Sequence, residues 1–408
     1  MKKNLIFTLF LLTLISCSKD YPHDELDFNL YGGVGRTNSY EYFGNFPLQL
    51  VTEEAVPSDD SSGVVQTPVR LKSPYSVVAT SKGNILRINN TTVDKYFKID
   101  SSFVVATGMT ADRNSNIYFI DSDDNLYSLN FDLKLNWKKQ IPITKVRSLS
   151  FSDLLATSDG IYVGANTGDL IKFDFEGNIN WQYKSALAVG KTFAGDSTGN
   201  TYIPLTNNTF GETDSIVCLS PSGKIIWQSA LPGTRILSST VFHQGRVYAT
   251  GAKVQSDEKI GATFCFARTG KLLWETESTL SGRNIALDYE GNSYITSISS
   301  GVGEISTGLL AFDKDGKELW KVYFGAAAIS SPVICEKYIG FTVFTGEGAA
   351  MFFARKSDGL LVRNHSLSNL PPLYLQPMVA DDATIRLFGS NKLRMIKFTE
   401  TSLNKFLP

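Results

Sequence analysis

Short runs of alternating apolar and polar residues fill the chain from Val64 onward, and Gly, Asn, Asp or Ser clusters separate them. Alternation over four to eight residues is typical of β-strands with one buried face, and the separating residues favour tight turns. One stretch illustrates the pattern, with strands A to D predicted at 236–243, 246–250, 263–268 and 272–276. Sequential strands joined by hairpins predict a four-stranded antiparallel sheet.

This four-stranded unit repeats along the chain. Each copy contains an apolar strand end, a turn with Gly and an apolar run into Trp four residues after that Gly, as in FDKDGKELW at 312–320. The first tryptophan copy has Leu133 in the Gly place. All five tryptophans of the chain occupy this position, at steps of 44, 46, 47 and 46 residues: Trp137, Trp181, Trp227, Trp274 and Trp320. A period in the forties with strand-turn-strand content predicts the blades of a β-propeller.

A second motif, Asp-x-x-x-Asn-x-Tyr, recurs at 112–118, 196–202 and 288–294, in the same phase of the repeat. Asp and Asn support tight turns through local side-chain hydrogen bonds, and the Tyr opens the next strand. Two independent signals therefore define the same unit.

The number of units follows from the remaining length. The 345 residues from Val64 to Pro408 give about 43 per unit for eight units and about 49 for seven, and the observed steps fit eight better. The Trp position is then taken by Tyr96 in the first unit, Arg363 in the seventh and Phe406 in the eighth. We predict an all-β, eight-bladed β-propeller of four-stranded antiparallel blades. Seven blades remain the alternative, if both termini share one blade.

The Ala/Phe-x-x-x-Gly-Lys-x-x-Trp units resemble the tryptophan-docking repeats of quinoprotein-type (PQQ-like) propellers over most of residues 75–400. The resemblance implies that each Trp packs between neighbouring blades as a structural docking residue, as expected of a large aromatic recurring once per unit. In length, repeat and N-terminus the chain is also similar to the propeller lipoproteins of the outer-membrane β-barrel assembly machinery.

Enzymatic chemistry is poorly supported by the residues. Quinoprotein dehydrogenases of the resembled family carry adjacent cysteines, an acidic catalytic residue and calcium ligands, and this chain has no Cys-Cys pair. Its three histidines, His23, His243 and His365, lack metal-ligand spacing. Asp121, Asp123 and Asp124 lie at a predicted hairpin tip without an EF-hand pattern. We therefore expect no catalytic residue, no cofactor and no metal.

The N-terminus predicts export and lipidation. Lys2 and Lys3 precede an apolar run, residues 5–15, that is too short to span a bilayer and is typical of a signal peptide. The run ends in Leu-Ile-Ser-Cys, which resembles a bacterial lipobox and implies diacylation of Cys17. An ordinary secretory signal with a chance Cys is the alternative.

We divide the chain into a lipoprotein signal peptide (1–16), a tether (17–63) and the propeller (64–408). Lipid on Cys17 would hold the protein in the outer membrane of the cell envelope, on its periplasmic or surface face. The other cysteines, Cys218, Cys265 and Cys335, are expected to be buried free thiols.

The charge balance disfavours nucleic acid as a partner. The chain has 39 basic and 40 acidic residues, and removing residues 1–16, which contain two lysines, leaves 37 against 40. Nucleic-acid binders carry a basic excess.

A binding surface is predicted on one face. The connections between strands B and C lengthen in three consecutive units, to 206–214, 252–260 and 297–307, and long loops on a rigid scaffold often bind partners. Cations recur eight to ten residues after successive tryptophans: Lys145, Arg147, Lys191, Arg235 and Arg283. If they converge on the channel mouth, they favour an anionic ligand or an acidic segment.

These two features do not fix a partner. Drift in loop length and solvated cations in a water-filled channel explain the same residues. Our leading hypothesis is a non-catalytic scaffold for an envelope protein. A surface glycan-binding lipoprotein, using aromatics such as Phe210 or Tyr374, is the second, and a quinone-dependent oxidoreductase is the third.

Overall fold

The protein is an all-β propeller. A computed structural model describes residues 39, 50–55, 63–65, 68–72, 74–90, 92–100, 104–146, 148–207, 211–255, 258–278, 285–301, 304–324, 328–344, 348–367, 377–379, 385–388 and 394–398. All regular secondary structure in these residues is β-strand, and the 35 strands form eight antiparallel sheets.

Blades 1 to 4 follow the chain in order. Their strands are β2 (Val69–Arg70), β3 (Tyr75–Ala79), β4 (Asn84–Asn89) and β5 (Thr92–Lys98) in blade 1; β6 (Thr110–Ala111), β7 (Ile117–Ile120), β8 (Asn125–Leu129) and β9 (Leu135–Gln140) in blade 2; β10 (Leu155–Thr157), β11 (Gly160–Gly164), β12 (Asp169–Phe173) and β13 (Ile179–Lys184) in blade 3; β14 (Ala188–Val189), β15 (Ala194–Gly195), β16 (Thr201–Thr206), β17 (Asp214–Leu219) and β18 (Ile225–Leu231) in blade 4.

Blades 5 to 7 continue this order, and blade 8 takes one strand from the N-terminal part. Their strands are β19 (Thr234–Ile236), β20 (Val241–His243), β21 (Arg246–Gln255), β22 (Glu258–Ala267) and β23 (Leu272–Ser278) in blade 5; β24 (Ala286–Leu287), β25 (Ser293–Gly301), β26 (Glu304–Phe312) and β27 (Glu318–Phe324) in blade 6; β28 (Ala328–Ile329), β29 (Val333–Ile334), β30 (Tyr338–Phe344), β31 (Ala349–Arg355) and β32 (Leu361–Leu367) in blade 7; β33 (Met378–Val379), β34 (Ile385–Phe388), β35 (Arg394–Phe398) and β1 (Leu50–Ala55) in blade 8.

The ring is closed by apolar packing between every pair of neighbouring blades. Eight clusters of buried side chains each draw on two consecutive blades. The cluster between blades 8 and 1 joins Met378 and Phe388 to Val78, Leu86 and Ile88. The predicted fold class, an all-β propeller of four-stranded antiparallel blades, is confirmed. The alternative of seven blades assumed that the two ends of the chain share one blade. They do share one sheet, β33–β35 with β1, and this sheet is the eighth in the ring.

The predicted boundary between tether and propeller needs correction at β1. This strand lies inside the segment assigned to the tether, yet it pairs antiparallel with β35 and forms the outer edge of blade 8. Phe406, which we expected in that outer strand, lies outside the described residues. Pairing the two ends in one sheet completes blade 8, which packs on blade 1, so neither terminal blade exposes an apolar face as it would in a linear array. Upstream of β1, Ser39 forms a parallel bridge with Ile334 in the inner strand β29.

Each tryptophan donates its indole N–H to a backbone carbonyl of the next blade. The five indole nitrogens lie 2.7 to 3.0 Å from their acceptors: Trp137 to Phe175, Trp181 to Pro221, Trp227 to Arg268, Trp274 to Lys314 and Trp320 to Lys356. The acceptors all lie in the turn between strands C and D. The indoles therefore join consecutive blades at the same height around the wheel.

The glycine of that turn makes room for the indole. In all five turns its φ is positive, and a Cβ built on it would lie 2.5 to 2.9 Å from the incoming ring: Gly177, Gly223, Gly270, Gly316 and Gly359. Where Leu133 replaces the glycine, its φ is 56° and its side chain is buried. The preceding blade has Tyr96 in the tryptophan place, and Tyr96 is 75% exposed. Glycine and docked tryptophan thus occur together.

The Asp-x-x-x-Asn-x-Tyr motif forms a buried clamp in the turn between strands A and B. Asp196 Oδ1 accepts the backbone N–H groups of Thr198 (2.9 Å) and Asn200 (3.0 Å), and Oδ2 accepts from Asn200 Nδ2 (3.1 Å) and Tyr202 Oη (2.8 Å). Asp112 and Asp288 also accept bonds from their Asn and Tyr. Arg268 of the next blade reaches Asp196 at 2.9 Å. The clamp therefore fixes one turn and joins two blades.

This clamp should make stability depend on pH below neutrality. Burial acts to raise the pKa of Asp196, but hydrogen bonds from Thr198, Tyr202 and Asn200 hold that pKa below its usual value. The stabilisation is therefore complete above the unfolded pKa of about 4 and is lost as pH falls through the lower folded pKa. In urea unfolding, we expect the deficit of an Asp196→Asn variant to be largest near neutral pH and to shrink below about pH 4. A deficit that stayed constant down to pH 2 would contradict this origin.

Candidate binding surface

The two faces of the propeller carry different connections. Because the blades are antiparallel, B–C and D–A connections lie on one face, which we name the hairpin face, and A–B and C–D turns lie on the other, the turn face. The clamps and docking glycines belong to the turn face. Lys145 and the extended connections of blades 5 and 6 belong to the hairpin face.

Two of the three long connections are β-hairpins, so their prediction as loops is wrong. Strands β21 and β22 remain paired to Gln255↔Glu258, and β25 and β26 remain paired to Gly301↔Glu304. The backbone N–H and C=O groups of these segments are therefore hydrogen-bonded to the neighbouring strand, whereas in a loop they would be hydrogen-bonded to water. The third connection joins Thr206 to Asp214, and its residues 208–210 lie outside the described part of the chain.

The two hairpins extend from neighbouring blades. Blades 5 and 6 share one apolar core, in which Val241 and Tyr248 pack with Ile285 and Leu287. By contrast, the equivalent connection of blade 3 is the tight turn after Ala165, whose N–H bonds Asp169 O at 2.8 Å. The hairpin face is therefore extended locally, over blades 5 and 6.

The buried carboxylate of Asp214 in blade 4 connects the B–C connection of that blade to blade 5. Asp214 is fully buried and accepts the backbone N–H groups of Asn207 and Ile236, both at 2.6 Å. Burial raises the pKa of Asp214, while those two bonds and the charge of Arg235 oppose the rise. Asp214 thereby ties the blade 4 connection to β19, the inner strand of blade 5.

The predicted cations do not form one set. Lys145 is exposed and pairs with Asp123 at 3.0 Å and Asp124 at 3.5 Å, in the B–C turn of its own blade. Lys145 therefore already has two carboxylate partners. Arg147 and Arg283 lie outside the described residues, as do the aromatics Phe210 and Tyr374 suggested for glycan binding.

Lys191 and Arg235 lie on the inner strands of neighbouring blades. Lys191 is exposed between β14 and β15, and its backbone carbonyl accepts the N–H of Asp153 at 2.7 Å. Arg235 lies half-buried in β19. The structure therefore places these two predicted cations on the channel side of blades 4 and 5, and blade 5 also carries one of the two hairpins.

Groups suited to catalysis are sparse among the described residues. Cys218, Cys265 and Cys335 are free and buried, and burial raises the pKa of the Cys218 and Cys265 thiols to about 12. Burial lowers the pKa of His243, whose ring nitrogen lies 3.3 Å from Tyr289 O. No group of three or more His, Cys, Asp or Glu in the described ranges could hold a metal ion. Within the same ranges, no helix could cross a membrane.

Sequence reasoning missed a shallow cleft on the turn face. It has a volume of about 700 Å³ and takes its lining from turns of blades 5 and 6: Gln244, Tyr289, Glu290, Asn292, Asp313, Lys314 and Asp315. Its acidic groups have partners, because Arg246 lies 3.4 Å from Asp315 and Lys356 lies 3.9 Å from Glu290. Parts of two repeat motifs line this cleft, but the cleft itself forms only when turns spread over positions 244 to 315 come together.

Comparison with known proteins agrees with this architecture. The profile of a PQQ-like repeat family described as outer membrane protein assembly factor BamB matches residues 212–372, from the end of blade 4 through blade 7. No curated protein matches the sequence significantly.

Solved structures extend the likeness to the whole wheel. BamB from Moraxella catarrhalis is similar over 86% of this chain and all of its own, with a TM-score of 0.65 at 15% identity. The Dos1 propeller (86% of this chain, 96% of its own, TM-score 0.62, 10% identity) and Sqt1 from Saccharomyces cerevisiae (87%, 100%, 0.63 and 10%) are also similar. The chain is thus a β-propeller whose fold is similar to that of outer membrane protein assembly factor BamB, and its residues 212–372 match the PQQ-like repeat family of that factor.

Proposed function

We propose that the protein is a non-catalytic, lipid-anchored scaffold of the bacterial cell envelope, and that its hairpin face binds a protein partner in outer-membrane protein assembly. One observation carries the proposal: the family match covers residues 212–372, and both projecting hairpins lie within those residues. The anchor is the predicted lipid on Cys17, which the described residues do not include.

The chemistry of the described residues supports a binding role over catalysis. The thiols are buried, and the acidic turns are paired with lysine or arginine. Paired hairpins on a closed wheel form a rigid platform, and such a platform binds a partner with little loss of conformational entropy.

Site-specific photo-cross-linking in intact cells tests the proposal. A photoreactive residue replaces Lys259, which is exposed on the β22 limb of the blade 5 hairpin, and the matched control replaces Glu176, which is exposed on the turn face of blade 3. We expect a covalent adduct between position 259 and a protein of the outer-membrane assembly machinery, and no such adduct from position 176.

Equal adducts at both positions, or adducts at 259 only with proteins outside that machinery, would overturn the proposal. Mass spectrometry of the N-terminal peptide of the mature protein is the separate check of the anchor, with acylated Cys17 as the expected first residue. A mature protein whose Cys17 carries no acyl chain would contradict lipidation at Cys17.

A further inference from the structure

Among the described residues, the outer strand of each blade pairs on one side only and forms an open sheet edge. The eight edges are β5, β9, β13, β18, β23, β27, β32 and, in blade 8, β1. Open edges recruit further strands, and proteins commonly block such pairing with charged side chains or β-bulges. Each outer strand here has a register shift near its start. The bulge therefore does not distinguish one edge from another.

Charge does distinguish them. Seven of the outer strands contain at least one Asp, Glu, Lys or Arg, for example Glu275 and Glu277 in β23 and Lys138 in β9. The outer strand of blade 4, β18, reads IIWQSAL and contains none. This edge lacks the side chains that would oppose pairing.

The exposed face of β18 is available for a partner. Ile225 and Ile226 are each 53% exposed, and Gln228 and Ala230 are exposed as well. The alternate residues face blade 5. Trp227 Nε1 donates a hydrogen bond to Arg268 O at 2.7 Å, and Ser229 Oγ donates one to Gly270 O at 2.5 Å. One face of the strand is thus fixed against blade 5. Its other face is exposed, with Gln228 Nε2 bonded to Ser215 Oγ of the same blade at 3.0 Å, and no described strand pairs with its outer edge.

We propose that β18 pairs antiparallel with β18 of a second copy of this chain, which makes a two-fold dimer through one continuous sheet. The strand is complementary to itself. Pairing centred on Gln228 places Ile226 opposite Ala230 and Trp227 opposite Ser229, so a large side chain meets a small one in both pairs. At the strand ends, the apolar Ile225 and Leu231 lie opposite each other. No charge is buried in this pairing, whereas β23 paired with its copy in the same register would bring glutamates opposite each other.

A cysteine on the two-fold axis tests this dimer. Gln228→Cys would meet its own copy at a Cα separation of about 5 Å, which suits a disulfide. Glu275→Cys is the matched control, because Glu275 is exposed at the equivalent place of β23, one residue after Trp274. The buried native thiols of Cys218 and Cys265, with pKa values of about 12, add little background.

In the full chain, oxidised mildly in intact cells, we expect Gln228→Cys to give a disulfide-linked homodimer and Glu275→Cys to give none. Ile226→Lys, added to Gln228→Cys, should abolish that dimer, and thermal unfolding checks that this exposed change leaves the fold intact. Equal yields from both cysteines, a dimer that survives Ile226→Lys, or linkage of position 228 to a different protein would overturn the proposal. None of these outcomes depends on the hairpin face, so this test and the photo-cross-linking test fail separately.

Discussion

Gly316→Ala is expected to lower the free energy of unfolding by about 3 kcal/mol, the sum of left-handed backbone strain and a steric clash. The φ of Gly316 is 84°, and its Cβ would lie 2.6 Å from Cδ2 of Trp274 and 3.0 Å from Thr276 Oγ1. Thr276 also donates a hydrogen bond to Gly316 O at 2.8 Å, so the turn and the indole cannot separate freely. Urea unfolding followed by tryptophan fluorescence measures the change.

Gly245→Ala is the matched control for that substitution. Gly245 also lies in a turn with positive φ, at 76°, but its Cβ would meet nothing within 4 Å. Gly245→Ala should therefore lower the free energy of unfolding only by the backbone strain, about 1 to 2 kcal/mol. Equal losses for the two variants would mean that the indole does not restrict the turn.

Asp288→Ala is expected to cost about 3 to 4 kcal/mol, because several buried donors lose their acceptor at once. The carboxylate is fully buried and accepts from Asn292 N at 2.8 Å, Asn292 Nδ2 at 2.9 Å and Tyr294 Oη at 2.9 Å. Lys356 of blade 7 lies 3.5 Å away and is itself largely buried, so its charge also loses a partner. Denaturant unfolding at neutral pH is the measurement.

Asp174→Ala is the matched control that separates the effect of a buried acceptor from the effect of the turn itself. Asp174 accepts the same kind of bonds from Asn178, but in an exposed turn between strands C and D. Water can replace the lost acceptor there, so the expected cost is only about 1 kcal/mol. A loss as large as that of Asp288→Ala would show that the turn itself, rather than the buried clamp between blades, determines the cost.

The repeat was predictable because its signals are local. Trp274 and the glycine of its turn lie four residues apart, and the next copy follows after 46 residues, so the phase is visible without any knowledge of contacts. The Asp288 clamp is equally local, since its acceptor and donors lie within seven residues. Fold class and docking geometry thus follow from short-range patterns.

The parts that escaped prediction depend on long-range pairing. β1 has the short sequence LVTEEA, and it becomes a blade strand only through β35, more than 300 residues away. The hairpin limbs contain Ser299, Ser300 and Gly301, which favour loops in isolation, and the ladder between β25 and β26 overrides that preference. The cleft near Tyr289 and the free edge of β18 are likewise properties of assembled blades.

The central claim, that each indole locks one blade onto the glycine turn of the next, is tested most directly by a double-mutant cycle of Trp274→Ala and Gly316→Ala. If the ring and the turn are in contact, the loss of unfolding free energy caused by Gly316→Ala should be about 1 to 2 kcal/mol smaller in the Trp274→Ala background, because only backbone strain remains there. Strictly additive losses in urea unfolding would contradict that contact and, with it, the docking that joins consecutive blades of the wheel.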